Sequence, residues 1–377
     1  MKKRIVMLVT SGVVMDSRIL REARSAAEIG FAVRLIGRYV AEQGDPDPTW
    51  PFEVERIPIS RNSKRTILQK IAERVRFGWQ LYRRALAFQP DLIHCNDFDT
   101  LPFGWLAARR RKTPLVYDSH ELWSESLSVA KSRIGKRVVQ WLEGPLARSA
   151  DAVISVSHAS AEWLQQRYHL RKLFVITNCP FSYRGAHKEK EGRFTVLSQG
   201  VFQTDRGYEE LIVAAPLLQK ENIQVQIRGY GEEEEHFRAL ARQAHSANLT
   251  FPEKVPSDQV VMAATSAHLG AVLTKPISVS YQRTVSNKLF ELVNAGLPVL
   301  LSNVMEHRYL NERYHFGVIL KEVTPQAIAD AIISLKNDPE TYKALAQNAE
   351  NAAQILNWEC EGKKLQKIYQ ELLEKEK

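Results

Sequence analysis

Short apolar runs alternate along this chain with longer stretches in which apolar residues recur every three or four positions. A short run is typical of a buried strand, and the longer spacing is typical of an amphipathic helix. The alternation occurs twice and predicts an α/β fold with a parallel sheet in each half. The predicted strands are 5–9, 32–36, 92–94, 115–117, 152–155 and 174–176, then 194–197, 224–227, 269–273, 298–301 and 318–320.

The length of the chain predicts two domains, since 377 residues exceed the roughly 100 to 200 of an ordinary domain. The stretch 182–192 is charged, contains glycine and lacks apolar periodicity, so it is the predicted linker. We therefore expect an N-terminal domain at 1–182 and a C-terminal domain at 193–356. Two doubly wound domains meeting at a cleft are expected to bring their strand ends, and hence their ligand-binding loops, to face one another.

Composition narrows the class of protein. Hydrophobic residues make up 44% and charged residues 25%, which is typical of a folded enzyme. No run reaches the roughly 20 apolar residues of a membrane span and no signal peptide is evident, so a cytoplasmic location is expected. Cys95, Cys179 and Cys360 are odd in number and widely separated, which favours reduced thiols over disulfides or a zinc site.

The segment 286–299 is the most informative one for chemistry. Ser286 is a good N-cap, Gly296 suits the position after a helix, and Pro298 cannot extend the helix. The first amides of this helix, together with the charge of Lys288, form a site suited to a diphosphate. Glu291, one turn later, is within reach of a ribose hydroxyl pair. The alternative is an ordinary capped helix with a solvated glutamate.

This segment closely resembles the donor-site signature of family 4 glycosyltransferases, which share the GT-B fold. The resemblance implies two Rossmann-like domains around a cleft, an N-terminal acceptor domain, a C-terminal donor domain and a final helix at 357–377 that crosses back onto the first domain. It also implies that Asn287, Lys288, Leu289 and Glu291 bind the donor. An earlier Glu of the signature contacts the transferred sugar, but Arg283 occupies its position here.

Polar residues follow the predicted strands of the first half. Gly12 follows the first strand and, by the resemblance, lies near the donor phosphates, while Asp16 either caps the next helix or faces the acceptor. Two further clusters, 94–99 and 117–121, follow later strands. The resemblance maps His120 on the histidine that touches the transferred sugar. The acceptor-side candidates are Asp16, Asn96, Asp97, Asp118 and Glu121.

Glycines and one arginine mark the corresponding loops of the second half. In the family, a Gly after the first strand of this domain precedes a basic residue that meets the donor diphosphate, and Arg206 fits that role. A second basic residue found in many members is replaced by Val201. Gly229 and Gly231 resemble the turn where the backbone approaches the nucleotide.

The expected chemistry is transfer of a sugar, of hexosyltransferase type, from a UDP- or GDP-linked donor. Arg206 and Lys288 are the catalytic cations for the departing diphosphate, and His120 orients the sugar. These side-chain cations take the place that a divalent ion has in other sugar transfers, so neither a metal nor another cofactor is expected. Retention of anomeric configuration is implied by the family. The alternatives are a GT-B nucleotide-sugar epimerase and, because of Arg283, an inactive sugar- or membrane-binding homologue.

Basic residues concentrate in the first half of a chain whose formal charge is +9. From Lys64 to Arg84 they alternate with apolar and aromatic residues, which fits either a helix lying on an anionic membrane or a core helix with a solvated charged face. The first interpretation suits a lipid-linked or polysaccharide acceptor and a peripheral position at the inner face of the membrane. Nucleic acid is not expected as a partner, since no recognition motif accompanies the charge.

Overall fold

The computed structural model of the protein describes residues 2–14, 16–59, 66–183, 185, 190 and 192–374. Its chain divides into two compact units, Met1–Thr177 with Glu361–Lys377, and Asn178–Cys360. Most of the predicted linker, namely 184, 186–189 and 191, lies outside the described residues, as do Lys64 and Arg65 of the basic stretch.

Strands and helices alternate in both units. The first unit contains β1 (Arg4–Gly12), α1 (Ser17–Glu28), β2 (Ala32–Arg38), β3 (Glu53–Ile57), α2 (Ile67–Phe88), β4 (Leu92–Asn96), α3 (Leu101–Arg111), β5 (Leu115–Ser119), α4 (Leu127–Ala130), α5 (Arg133–Ser149), β6 (Ala152–Ser155), α6 (His158–Tyr168) and β7 (Leu173–Val175). The second contains β8 (Phe194–Val201), α7 (Tyr208–Gln219), β9 (Ile223–Tyr230), α8 (Glu234–Ala244), β10 (Leu249–Thr250), α9 (Val260–Ala264), β11 (Leu269–Val272), α10 (Val279–Arg283), α11 (Asn287–Asn294), β12 (Val299–Ser302), α12 (Met305–Tyr314), β13 (Gly317–Leu320), α13 (Pro325–Asn337) and α14 (Pro339–Ala353). The last helix, α15 (Trp358–Glu374), begins in the second unit and continues in the first.

Each unit is built on one parallel sheet. The strand order is β3-β2-β1-β4-β5-β6-β7 in the first unit and β10-β9-β8-β11-β12-β13 in the second. Both orders reverse beside the first strand of the sheet, as in a doubly wound fold, so ligands are expected where the strands end. The predicted architecture of two Rossmann-like sheets is confirmed.

Helices cover both faces of the first sheet. Successive strand residues point to opposite faces, so Tyr117 of β5 packs in the core beneath α2, α3, α5 and α6, whereas Asp118 meets α1 on the other face. Helix α15 lies on that other face, where Tyr369 contacts His94 of β4 and the side chain of Gln366 donates to a carbonyl of α1.

Two apolar clusters form the core of the second unit. One packs α11 and α14 against the sheet around Leu289, Phe290 and Val293. The other packs α7 and α13 around Tyr208, Leu211 and Ile328 on strands β8 and β9. The helix that carries the predicted donor residues is therefore anchored by its buried face, while its first turn remains near the ends of the strands.

Helix ends follow the sequence predictions. Asp16 caps α1 by accepting a hydrogen bond from the amide of Ile19 at 3.4 Å. Gly30 and Gly296, placed after helices by the sequence, have φ values of 94° and 68°, a region that favours glycine. Ser286 is the N-cap residue of α11, but its side chain makes no capping hydrogen bond.

Two strands were not predicted. Strand β3 is half-exposed at the edge of its sheet and carries Glu53 and Glu55, which face Arg34 of the neighbouring strand, so it lacks the apolar run by which the others were found. Strand β10 has two residues. Among the described residues, no helix is both long enough and apolar enough to cross a bilayer.

Candidate active site

The strand ends of the first sheet bring the two predicted polar clusters of this unit together. Strands β4 and β5 are neighbours, with Asn96 opposite Asp118. Asp97, the next residue, has a φ of 64° and so turns out of the strand direction. Its Oδ1 accepts a hydrogen bond from the backbone amide of His120 at 3.0 Å, which fixes the loop carrying the histidine.

His120 lies between two carboxylates. Its Nδ1 is 3.6 Å from Asp97 Oδ2 and its Nε2 is 3.5 Å from Asp118 Oδ2, with 16% of the side chain exposed. Burial lowers the pKa of His120, but the charges of Asp97 and Asp118 outweigh it and raise the pKa to about 10. The two carboxylates therefore favour the protonated ring.

A buried guanidinium supports this arrangement from below. Arg18 Nη2 is 2.7 Å from Asp118 Oδ2, and Arg18 Nε is 2.9 Å from Oε1 of Glu22, one turn along α1. Burial raises the pKa of Asp118, but Arg18 and His120 hold it well below its usual range. Burial raises the pKa of Glu22 well above its usual range. Arg18 and Asp118 thus form the buried ion pair under the histidine.

The same groups have the spacing of a metal site. Ligand atoms of Glu22, Asp118 and His120 lie within 4.8 Å of one another. The guanidinium of Arg18 contacts both carboxylates at ion-pair distance. A fixed side-chain cation therefore lies against both of these carboxyl groups.

Helix α15 reaches this network through one tyrosine. The hydroxyl of Tyr369 lies 2.6 Å from Nδ1 of His94, and both side chains are fully buried. His94 Nε2 is in turn 3.8 Å from Asp118 Oδ2. Burial lowers the pKa of His94, so this ring is neutral and packs between Tyr369 and the Arg18 pair.

Glycines form the corresponding edge of the second sheet. Gly200 of β8 and Gly229 of β9 are register partners, and a Cβ on Gly229 would lie 2.0 Å from the carbonyl oxygen of Gly200. Gly200 has a φ of 123°, and a Cβ there would meet Lys288 Cε at 2.1 Å. The bare backbone lets the lysine lie across the strand end.

Lys288 lies in the first turn of α11. Its Nζ donates to the hydroxyl of Tyr208 at 2.5 Å and lies 4.6 Å from the centre of that ring. Burial, with a smaller contribution from the positive charge of Arg206, lowers the pKa of Lys288 to about 7. The lysine is thus held among groups that do not neutralise it fully, a site that favours an anion.

Glu291 faces the same strand end from one turn further along α11. Its Oε2 accepts from the amide of Gln199 at 2.9 Å, and Gln199 Oε1 accepts from Arg228 Nη1 at 3.4 Å. Gln199 therefore holds the carboxylate, and Arg228 holds Gln199, an arrangement that the solvated-glutamate alternative did not foresee.

Arg206 is a second cationic side chain near the end of this sheet. It ends the short 3-10 turn Thr204–Arg206, and Gly207 follows with a φ of 72°. Its guanidinium lies 5.1 Å from the ring centre of Tyr281, and its Nε donates to Gln203 at 3.2 Å. Its charge also lowers the pKa of His307, after burial, to about 4. Arg206 and Lys288 thus act on one region.

The two halves of the chain match two family descriptions. Residues 16–179 match the model of Glycosyltransferase Family 4, and residues 181–352 match that of Glycosyl transferases group 1. The chain belongs to the family 4 glycosyltransferases. It is therefore a glycosyltransferase that depends on a nucleotide sugar.

Individual relatives are distant in sequence and close in fold. An uncharacterized glycosyltransferase of Methanocaldococcus jannaschii is 23% identical over 319 residues, 78% of this chain and 79% of the relative. Sucrose-phosphate synthase from Thermosynechococcus elongatus is 17% identical with a TM-score of 0.79, covering 99% of this chain and 100% of its own. The Anabaena protein HepE, solved with UDP, is 17% identical with a TM-score of 0.73 over the whole of both chains. The GT-B fold expected from the sequence is confirmed.

The remaining candidates of this family 4 chain have varied surroundings. Gly12 ends β1, where a Cβ would meet the side chain of Gln43 at 2.4 Å. Asn96 is buried and donates to the carbonyl of Leu8 at 3.3 Å. Glu121 is exposed, and Gly231 has a φ of 149°. In α11, Asn287 is exposed and Leu289 is buried in the core.

The two clusters also contain residues that were not among the sequence candidates. Arg18 and Glu22 share one face of α1, a spacing of four that the sequence does show. Gln199, Tyr208 and Tyr369 carry no signal in their own segments, since each meets its partner across a large sequence separation.

Proposed function

We propose that this glycosyltransferase is a retaining, metal-independent enzyme that transfers a hexose from a UDP- or GDP-linked donor to a glycan acceptor. The observation that carries the proposal is the cluster of Arg206, Lys288 and Glu291 at the end of the second sheet. Two cations suit a diphosphate, and a held carboxylate suits the hydroxyl pair of a ribose.

The donor site is supported by charge and by backbone shape. Negative charge grows on the diphosphate as the sugar leaves, and fixed cations stabilise that charge. Lys288 and the first amides of α11 supply this at one side, and the glycine edge at Gly200 lets the phosphates approach the backbone. HepE, a relative in fold, has been solved with UDP-glucose, which favours UDP as the nucleotide.

Metal independence is supported by the side-chain cations themselves. Arg206 and Lys288 fill the electrostatic role that a divalent ion has in other sugar transfers. In the first unit, Arg18 occupies the position between Glu22 and Asp118. Transfer is therefore proposed to need no added metal and no other cofactor.

His120 is proposed to orient the transferred sugar. The protonated ring would present positive charge to a sugar hydroxyl, and Asp97 and Asp118 keep it from rotating. Retention then follows if the acceptor attacks on the same face, with the leaving phosphate accepting the acceptor proton.

The acceptor is proposed to be a glycan on a lipid carrier, in the assembly of a cell-surface polysaccharide. The enzyme is proposed to act at the inner face of a membrane. Support comes from the formal charge of +9 and from helix α2, which exposes Leu68, Ile71 and Val75 beside basic residues. The alternative of a core helix with a solvated face describes only its second half, where Phe77 and Leu81 are buried.

Nucleotide binding by a Glu291→Gln variant tests the donor site. The change removes a charged acceptor, and a hydrogen bond to a charged group contributes about 1.5 to 3 kcal/mol, so UDP and GDP should bind roughly 10- to 100-fold more weakly by calorimetry. Glu253→Gln, a change at an exposed glutamate of the same unit, should bind normally. Wild type that binds neither nucleotide contradicts the proposal.

Product analysis tests the rest of the reaction. Nucleotide diphosphate should accumulate only when acceptor is present, and it should still accumulate in excess chelator. The sugar in the product should keep the anomeric configuration that it had in the donor. Epimerised donor without acceptor would establish the epimerase alternative, and bound but unreacted donor would favour the inactive homologue.

A further inference from the structure

Helix α5 carries an apolar stripe on its solvent side. Ile134, Val138 and Trp141 are 77%, 49% and 73% exposed, and their spacing places them on one face of the helix. The opposite face is buried through Glu143, Gly144 and Ala147. The stripe is therefore an exposed apolar surface of a helix whose opposite side is buried.

The charged groups around this stripe are positive. The helix contains Arg133, Lys136, Arg137 and Arg148 and a single carboxylate, Glu143. That carboxylate is buried and accepts hydrogen bonds from the hydroxyls of Tyr117 at 2.6 Å and Tyr168 at 2.8 Å. No negative side chain of α5 therefore faces solvent.

A groove beside the stripe gathers further arginines. It has a volume of about 310 Å³ and is lined by Trp141 with Arg137, Arg148 and Arg167. Arg148 donates to the carbonyl of Tyr168 at 3.4 Å, and Arg167 donates to the side chain of Gln140. These partners are neutral, so they orient the guanidinium groups without cancelling their charge.

The first half of α2 has the same character. From Leu68 to Arg76 the helix is exposed or half-exposed on every side, and its charged residues are Lys70, Arg74 and Arg76 with one carboxylate, Glu73. A capping box of Thr66 and Gln69 fixes its start, although core contacts begin only at Phe77. A capped helix that extends beyond its core with apolar side chains in water indicates a binding surface.

Both surfaces lie at one edge of the first unit. Helices α2 and α5 follow β3 and β5 of one parallel sheet, so both begin where its strands end, and α3 packs between them. Arg74 acts electrostatically on Asp99, which follows β4, and Lys136 pairs with Glu125 at 2.6 Å in the loop after β5. We call residues 68–76 of α2 and 133–142 of α5 the basic-apolar face.

We infer that the basic-apolar face docks on an anionic phospholipid bilayer, with Ile134 and Trp141 at the interface and Arg133 and Arg137 on lipid phosphates. Apolar and aromatic side chains flanked by arginine are suited to the headgroup boundary. A second copy of the chain fits poorly, because it would oppose the same arginines. Docking would turn the strand ends beside His120 toward the membrane, an orientation that rests on the proposed lipid-linked acceptor.

Vesicle co-sedimentation of the full chain tests the inference. Wild type should sediment with vesicles of phosphatidylcholine and phosphatidylglycerol and remain in solution with phosphatidylcholine alone. Each basic residue near a charged surface contributes about fivefold to binding, so Arg137→Glu, a change of two charges, should weaken it by more than tenfold. Trp141→Ser should weaken it severalfold without unfolding the chain, since the side chain is 73% exposed.

Two variants of the second unit are matched controls. Arg313→Glu makes the same change in net charge at an exposed position, and Leu217→Ser removes an apolar side chain that is 44% exposed. Both should bind vesicles like wild type. Equal effects in these controls, or equal binding to neutral vesicles, would overturn the inference.

Other outcomes would assign the surface differently and equally overturn it. RNA binding that depends on Arg137 and not on Trp141 would indicate a nucleic-acid surface. A dimer in sedimentation velocity that Trp141→Ser dissolves would indicate self-association. Stabilisation of each variant by UDP is measured in parallel, because a wild type that ignores UDP counts against the proposed donor site and leaves the vesicle result standing.

Discussion

Lys288 has a charge that depends on what lies beside it. Burial and Arg206 lower its pKa to about 7, whereas a bound diphosphate would raise it, because an opposite charge favours the ammonium form. The lysine should therefore take up a proton when nucleotide binds near or above neutral pH.

Nucleotide affinity should accordingly fall as the pH rises above about 7, because the proton taken up becomes scarcer. Calorimetry of UDP binding in buffers of different ionisation enthalpy measures the proton uptake directly. Lys288→Met should bind more weakly and lose most of this pH dependence. Lys254→Met, at an exposed lysine of the same unit, should keep it, and an unchanged pH profile in the Lys288 variant would refute the assignment.

Whether the sequence pointed to a residue depended on how close its partners are along the chain. Glu291 and Lys288 were found because the cap, the helix and the following strand lie in one segment. Gln199, which holds the carboxylate, lies 92 positions away, and Tyr369 lies 275 positions from His94. Such pairs exist only after the sheets form, so the sequence singled out Lys288 and Glu291 and missed the residues that position them.

At the scale of elements, strands with apolar runs were predicted to within a few residues, and β3 was missed because its alternating charges sit at an exposed edge. The starts of α1 and α11 were predicted from Asp16 and Ser286; Asp16 makes the capping hydrogen bond, and the side chain of Ser286 does not. The exposure of the first half of α2 was not predicted, since a helical period alone does not show which turns of a helix pack against a core.

Asp16 has two possible roles, capping of α1 and binding of the acceptor, and substitutions can separate them. Its carboxylate caps α1, the helix that carries Arg18 and Glu22, so Asp16→Ala should cost about 1 kcal/mol of stability in urea unfolding. Asp16→Ser keeps a capping oxygen and should keep both stability and kcat/KM. Asp338→Ala, which removes the cap of α14, should cost a similar amount without affecting transfer. Lost kcat/KM in a stable Asp16→Ser variant would instead place the carboxylate at the acceptor.

At the scale of the molecule, each unit has its own sheet and its own core, and the chain ends by completing the first one. Tyr369 is fully buried there against His94, far in sequence from every strand it supports. The final helix is therefore part of the folding unit that contains His120, although it is connected to the unit that contains Lys288.

Two separate unfolding transitions should follow in scanning calorimetry, because each unit has its own sheet and its own core. UDP at about a hundred times its Kd should stabilise the second unit by about 2.7 kcal/mol and raise only its transition. Tyr369→Ala should remove about 3 kcal/mol or more from the first unit alone, as truncation of buried aromatic side chains does, and Tyr369→Phe, which loses only the hydroxyl, should remove less. A single transition that responds to both UDP and Tyr369→Ala would show instead that the two cores unfold as one.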